Sequence, residues 1–134
     1  TMDSGKTALM HAIDNERGEI AKALVDAGSN VNAKSETGTT ALMWAAARKD
    51  TQIVELLLAN GAALNARHDE GFTALIHAAQ YGIPEILKLL IHRGAYLNGK
   101  TTDGKTALDY AVERRDEEII SILKEAGAKA AANL

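Results

Sequence analysis

The sequence predicts an all-α solenoid in which one helix-turn-helix unit is stacked four times. Three observations predict it: an internal repeat of 33 residues, two helical patterns inside each unit, and apolar faces too broad for a lone helix pair to bury. Stacking of identical units covers such faces. Because 134 residues are the size of one domain, we expect residues 1–134 to form a single repeat domain.

The repeat is visible in several residue types that recur without insertion or deletion. Glycines lie 33 residues apart at Gly5, Gly38, Gly71 and Gly104, and a threonine follows each of them two positions later. Alanine, leucine, isoleucine and asparagine positions recur in the same frame. The predicted units are 2–34, 35–67, 68–100 and 101–129, followed by a tail over 130–134.

The second unit shows the elements that every unit is expected to contain. Thr40 is a good N-cap, so a short first helix is predicted over 41–48. After a polar turn, a second helix is predicted over 52–59, and Gly61 supplies the left-handed residue that helix ends favour. Residues 65–71 then form an extended arm with a turn.

Small and polar side chains indicate how the units pack. Inner alanines leave room for adjacent first helices to approach closely, whereas the outer units carry Ile13 and Val112 at the corresponding place. The fourth unit is densely charged and the first is polar over 14–17, which suits capping units in contact with water. Asparagines at the start of the arms are expected to hydrogen-bond the backbone there. The alanines and asparagines are Ala45, Ala46, Ala78, Ala79, Asn32, Asn65 and Asn98.

On these positions the chain resembles the ankyrin repeat family. The family motif of a threonine, a variable residue and a leucine after a glycine turn recurs in every unit. Alanine replaces the usual proline after the threonine in all four units, and no unit keeps the usual histidine after the leucine. The resemblance covers nearly the whole chain. The four motifs are residues 7–9, 40–42, 73–75 and 106–108.

The resemblance implies L-shaped units of two antiparallel helices with a short β-hairpin arm, stacked into a curved solenoid. In this family the concave face of arms and first helices usually binds another protein or peptide. Carried over position by position, variable surface sites include Asp3 and Ser4 in the first unit. We expect partner contacts at Thr39, Trp44, Arg48, Arg67, Asp69, Phe72, His77, Tyr81, Lys105 and Arg114.

Aromatic side chains are few, so their positions are informative. Phe72 and Tyr81 occupy variable surface sites of one unit, and Arg48 shares the position of Tyr81 in the preceding unit. Because aromatic residues and arginine are common interface anchors, partner contact is favoured over the alternative that the rings cover a neighbouring arm. For Trp44, packing between units and access to a partner both remain open.

One segment fits a phosphate-binding motif. Residues 99–106 match G-x-x-x-x-G-K-[ST] before a helix, which would place Lys105 on a phosphate and Thr106 on magnesium. Gly104 and Thr106 are repeat positions, however, and a helical stack provides no parallel sheet. We therefore expect no nucleotide or other cofactor.

Other chemistry-bearing residues are scattered. The histidines at 11, 68, 77 and 92 form no helical i,i+4 pair with a carboxylate partner, and adjacent carboxylates such as Glu117 and Glu118 diverge on a helix. No nucleophile elbow or dinucleotide fingerprint occurs. We expect neither a metal site nor catalysis, so the chain is predicted not to be an enzyme.

Basic residues recur at one place on successive arms, at Lys34, Arg67 and Lys100. They form either a track for an acidic peptide or, as we favour, local pairs with acidic residues of the same arms. The formal net charge of −3 argues against nucleic acid as the partner.

Composition excludes several further classes of protein. The chain has no cysteine, which excludes disulfide scaffolds and thiolate zinc sites, and no apolar run near the ~20 residues of a membrane span. No signal peptide is visible, so cytoplasmic localisation is weakly favoured.

The leading prediction is a monomeric, non-enzymatic protein-interaction module. The alternative is an ankyrin segment of a larger enzyme, channel or effector whose activity lies elsewhere. An engineered scaffold is disfavoured, because units two and three differ at more than half of their positions.

Overall fold

Eight α-helices follow one another in four antiparallel pairs along residues 5–134, the part of the chain that the computed structural model describes. The predicted surface positions Asp3 and Ser4 lie outside the described residues. Within residues 5–134, no helix is long and apolar enough to span a bilayer. The helices are α1 (Ala8–Asp14), α2 (Gly18–Asp26), α3 (Ala41–Ala47), α4 (Thr51–Ala59), α5 (Ala74–Tyr81), α6 (Pro84–His92), α7 (Ala107–Arg114) and α8 (Glu117–Glu125), before a 3₁₀ turn at Ala131–Asn133.

Threonine fixes the start of each first helix. The hydroxyl oxygens of Thr7, Thr40, Thr73 and Thr106 each accept a hydrogen bond from the backbone N–H three residues later, while the threonine backbone stays extended. In α7, the Asp109 side chain accepts a hydrogen bond from the backbone N–H of Thr106 and completes a capping box. The predicted cap is therefore confirmed in all four units.

The helices of the second unit lie within one residue of their predicted bounds. α3 ends at Ala47 rather than at residue 48, and α4 begins at Thr51 because the Asp50 carboxylate caps it through the N–H of Ile53 at 3.1 Å. Gly61 has a φ of 86°, which confirms the left-handed residue expected after the second helix.

Two parallel rows of helices hold the core between them. The first helices α1, α3, α5 and α7 contact one another in sequence, and so do the second helices α2, α4, α6 and α8. The first helices contact one another more extensively because their alanines are fully buried at the contact. Val112 of the fourth unit is 52% exposed, as a capping face allows, whereas Ile13 of the first unit is buried. The buried alanines are Ala45, Ala46, Ala78 and Ala79.

Asparagines connect each unit to the next. The side-chain oxygen of Asn65 accepts a hydrogen bond from the N–H of Tyr96 at 2.8 Å, and Asn98 accepts one from Lys129 at 2.7 Å. The backbone partner that the sequence predicted is confirmed, but it belongs to the following unit. These side chains therefore join neighbouring units as well as fixing the start of an arm.

The arms are turns rather than the β-hairpins expected from the resemblance. Each closes through a hydrogen bond across five residues, such as His68 N–H to the Phe72 carbonyl at 3.0 Å, and the described residues form no strand. Successive arms are joined by bonds such as Asp69 N–H to the Thr37 carbonyl at 2.8 Å. One closing bond per arm is too few for a strand ladder, so this part of the prediction is wrong.

Gly71 allows two arms to stack closely. Its φ is 82°, and a Cβ atom there would lie 3.0 Å from the Thr101 Cα and 3.1 Å from the Lys100 carbonyl oxygen. Both neighbours are backbone atoms, so a side chain would push the arms of the third and fourth units apart.

Candidate functional site

A groove of about 440 Å³ lies between the second and third units, on the side formed by arms and first helices. Half of the residues expected to contact a partner line it. These are Thr39, Trp44, Asp69, His77 and Tyr81, and the remaining lining residues are Thr37, Met43, Ala47, His68 and Glu70.

Trp44 lies half-buried in α3 and forms part of the groove wall. The Lys6 ammonium lies 4.2 Å from the centroid of its ring, a distance typical of a cation–π contact. The indole Nε1 is buried and has no hydrogen-bond partner among the described residues. Trp44 thus combines the two roles that the sequence left open, because it packs between units and still lines the groove.

His77 occupies the position of Trp44 one unit later, on α5. Its Nδ1 is buried without a hydrogen-bond partner in the described part of the chain. Burial, together with the smaller effect of the nearby His68, lowers the pKa of His77 to about 4. The ring is therefore neutral near pH 7 and acts as an aromatic surface rather than as a cation.

Five rings form a cluster along one edge of the groove. Phe72 lies at its centre, with ring centroids 4.9 Å from His68, 5.2 Å from His77 and 5.4 Å from Tyr110. Tyr81 stacks on His77 at 6.0 Å with an interplanar angle of 11°. We call this set the aromatic cluster. The sequence did not reveal that His68 and Tyr110 meet the other three rings.

The structure separates the two aromatic residues that the sequence treated alike. Phe72 is half-buried, packs against the hydrophobic core and does not line the groove. Tyr81 is 42% exposed and does line it. Phe72 thus matches the alternative of a ring that covers neighbouring elements, whereas Tyr81 has the placement of a surface anchor.

Arg48 binds within the chain. Its Nη2 and Nε both donate to the Asp14 carboxylate, the latter at 3.1 Å, and Lys6 donates to the other oxygen of Asp14 at 2.8 Å. The hydrogen bonds from Lys6 and Arg48 lower the pKa of Asp14. Asp14 therefore pairs with both Lys6 and Arg48.

Lys105 and Arg114, the two basic residues of the fourth unit that were expected to contact a partner, also bind within the chain. Lys105 forms an exposed ion pair with Glu113 at 2.8 Å, and Arg114 lies 3.5 Å from Asp116. Neither residue lines the groove. Exposed pairs of this kind contribute little to stability.

Two of the three basic residues of the arms, Lys34 and Arg67, donate to the backbone of the next unit. Lys34 donates to the Arg67 carbonyl at 3.4 Å, and Arg67 donates to the Lys100 carbonyl. No ion pair joins these three residues to an acidic side chain within residues 5–134. The favoured local pairing is therefore wrong for Lys34 and Arg67, because stacking brings the next arm's backbone within reach of both side chains.

The residues of the phosphate-binding motif form contacts within the repeat fold. Thr106 is fully buried, caps α7 and donates its hydroxyl hydrogen bond to the Lys129 carbonyl at 2.9 Å. Lys105 points to Glu113 and to the Tyr110 ring. The two side chains that would hold phosphate and magnesium are thus engaged elsewhere. Residues 5–134 also contain no group of three or more metal-ligating side chains suited to hold an ion.

Comparisons with known proteins agree with the architecture. A family model described as ankyrin repeats (3 copies) matches residues 42–133, and a second, ankyrin repeats (many copies), matches residues 9–58. A Rickettsia bellii (strain RML369-C) protein whose name includes the words ankyrin repeat protein is 53% identical over 32 residues, which cover 24% of this chain and 5% of that protein. Ankyrin repeats generally mediate protein–protein interactions and are typically non-enzymatic. The chain belongs to the ankyrin repeat family.

Proposed function

We propose that this chain is a non-enzymatic interaction module that binds a partner protein or peptide on the face formed by its arms and first helices. The observation that supports this most directly is the groove between the second and third units. It combines accessible aromatic side chains with an acidic rim, and interfaces typically place rigid aromatic anchors at such positions.

The packing of the helices supports a concave shape on this side. The first helices contact one another more extensively than the second helices do, because their contact positions are alanines. A stack whose units are closer together along one row bends toward that row. The groove then lies on the inner side of the curve, where a partner can contact several units at once.

The proposal predicts that Tyr81 contributes to partner binding. We expect Tyr81→Ala to reduce capture of a binding protein by about tenfold or more, the loss typical of an aromatic anchor. The measurement is quantitative affinity capture by the immobilised chain, followed by titration of each captured protein against the variants.

Tyr96 offers a matched control. It is 72% exposed and does not line the groove, so Tyr96→Ala removes an equally large ring from another surface. Equal losses from the two variants, or none from Tyr81→Ala, would contradict binding on this face. Size-exclusion chromatography tests the accompanying proposal that the chain alone is a monomer.

A second candidate is that the chain is the binding segment of a larger protein whose activity lies elsewhere. The match to the Rickettsia bellii protein favours it, since the aligned part is 5% of that protein's length. The sequence of the complete gene tests this directly: an additional domain would support it, and an ankyrin array alone would contradict it.

A further inference from the structure

The groove lies between two units that lack a side-chain contact found between other neighbouring units. One variable position lies directly before the threonine cap of each first helix, and in two units its side chain covers a ring of the next unit. Lys6 lies 4.2 Å from the ring centroid of Trp44, and Phe72 lies 5.4 Å from that of Tyr110. The four equivalent residues are Lys6, Thr39, Phe72 and Lys105.

Thr39 is too short to cover the corresponding ring of the third unit. Its hydroxyl oxygen lies 2.8 Å from that of Thr37 on the same arm, and both residues line the groove together with His77. The His77 ring stacks instead on Phe72 and Tyr81 of its own unit, and the groove lined by Thr39 and His77 stays open. A side chain from a partner can occupy it.

The charges around this space are suited to a cation. The carboxylates of Asp69 and Glu70 line the groove, are exposed and form no ion pair within the described residues. Two basic side chains of the preceding units, Lys6 and Arg48, are both held by Asp14. The acidic side chains among the lining residues, Asp69 and Glu70, face no lysine or arginine among those residues.

Resting on the proposed function, we infer that the groove binds a lysine side chain of a basic partner peptide. The ammonium group lies between the aromatic wall and the carboxylates of Asp69 and Glu70, and the aliphatic stem packs on Ala47. The contact of Lys6 with Trp44 shows within this chain how a lysine covers such a ring. Cation–π contacts and snorkelling stems stabilise lysine in sites of this kind.

Trp44 provides a reporter of this site, since it is the single tryptophan of the chain and lines the groove. The test titrates the full chain with a short capped peptide that has one central lysine and follows the Trp44 indole signal by NMR. We expect saturable shifts with a Kd of about 1 mM. The same peptide with norleucine or glutamate at the centre should bind about tenfold more weakly.

Two pairs of substitutions separate the local carboxylates from net charge. Asp69→Asn with Glu70→Gln should weaken binding of the lysine peptide about fivefold. Glu36→Gln with Asp103→Asn changes the net charge equally at arm positions outside the groove and should leave binding unchanged.

Thr39→Lys gives an independent test, because it restores the side chain found at the equivalent position of the first unit. We expect this variant to fold with an unchanged circular dichroism spectrum and to lose the peptide-induced shifts. Equal binding of the lysine and norleucine peptides, or no saturable shift with the lysine peptide, overturns the inference. If Tyr81→Ala still abolishes capture of a protein in that case, the proposed function stands and only the lysine site fails.

Discussion

At the scale of single residues, His77 both lines the groove and affects the stability of the fold. Its imidazole is half-buried, the buried Nδ1 has no partner within residues 5–134, and desolvation holds its pKa at about 4. In the unfolded chain the ring regains its ordinary pKa near 6.5. The unfolded state therefore binds a proton at a higher pH than the folded state does.

This difference predicts that acid destabilises the fold before the carboxylates titrate. The stabilisation is complete above pH 6.5 and is lost as the pH falls toward 4, with a total of about 3 kcal/mol. Urea unfolding across this range measures it. His77→Tyr, which installs the residue of the equivalent position in the fourth unit, should flatten the dependence. If the free energy of unfolding of His77→Tyr falls with pH as steeply as that of the original chain, groups other than His77 cause the loss of stability.

The same residues show how far the sequence specifies the candidate site. The resemblance to the ankyrin repeat predicted that Trp44, His77 and Tyr81 lie on the face of arms and first helices, because a 33-residue step carries each position to its equivalent. It did not show that Phe72 is half-buried and lies beside the Tyr110 ring of the next first helix. That contact depends on how far each arm is offset over the next first helix, and the offset follows from stacking rather than from periodicity.

At the scale of elements, the sequence was enough to predict the helices but not the conformation of the arms. A helix satisfies its own backbone and is marked by local signals, such as the Thr40 cap and the φ of 86° at Gly61. An arm satisfies part of its backbone through the next unit, as in the bond from Thr102 N–H to the Glu70 carbonyl at 2.9 Å. Its conformation therefore depends on a neighbour that no local pattern describes.

At this scale, the hydrogen bonds by which asparagine side chains join neighbouring units lead to a prediction. Asn65→Ala leaves the N–H of Tyr96 without its acceptor, so we expect a loss of about 1 kcal/mol in the free energy of unfolding. Amide exchange at Tyr96 should accelerate as well. Asn60→Ala is the control, because Asn60 bonds only the Leu56 carbonyl of its own helix at 2.8 Å. Equal effects would argue that Asn65 does not join the units.

At the scale of the whole molecule, stability comes from contacts between adjacent units. Each first helix contacts the next first helix, each second helix contacts the next second helix, and bonds between arms join the units at a third place. In such an array the free energy of unfolding is approximately a sum over units and interfaces. A defect confined to one interface should therefore uncouple the units on either side of it.

Gly71 is the position at which this uncoupling is best tested. Gly71→Ala places a Cβ atom 3.0 Å from the Thr101 Cα and 2.8 Å from Arg67 Nη2, so the arm of the fourth unit must shift by a few tenths of an ångström and the Arg67 guanidinium must move. Gly94→Ala is matched in backbone conformation, with a φ of 90°, but its Cβ atom meets open space. We expect Gly94→Ala to cost about 1 kcal/mol from the left-handed backbone alone. Gly71→Ala should cost more.

The distribution of the loss distinguishes a broken interface from general destabilisation. In Gly71→Ala, hydrogen exchange should accelerate most in α7 and α8, which then unfold ahead of the first three units because one interface no longer supports them. In Gly94→Ala, exchange should accelerate evenly along the described chain. If both variants unfold in a single cooperative transition with equal loss, stacking of the arms contributes nothing to coupling, and the helices alone transmit stability along the array.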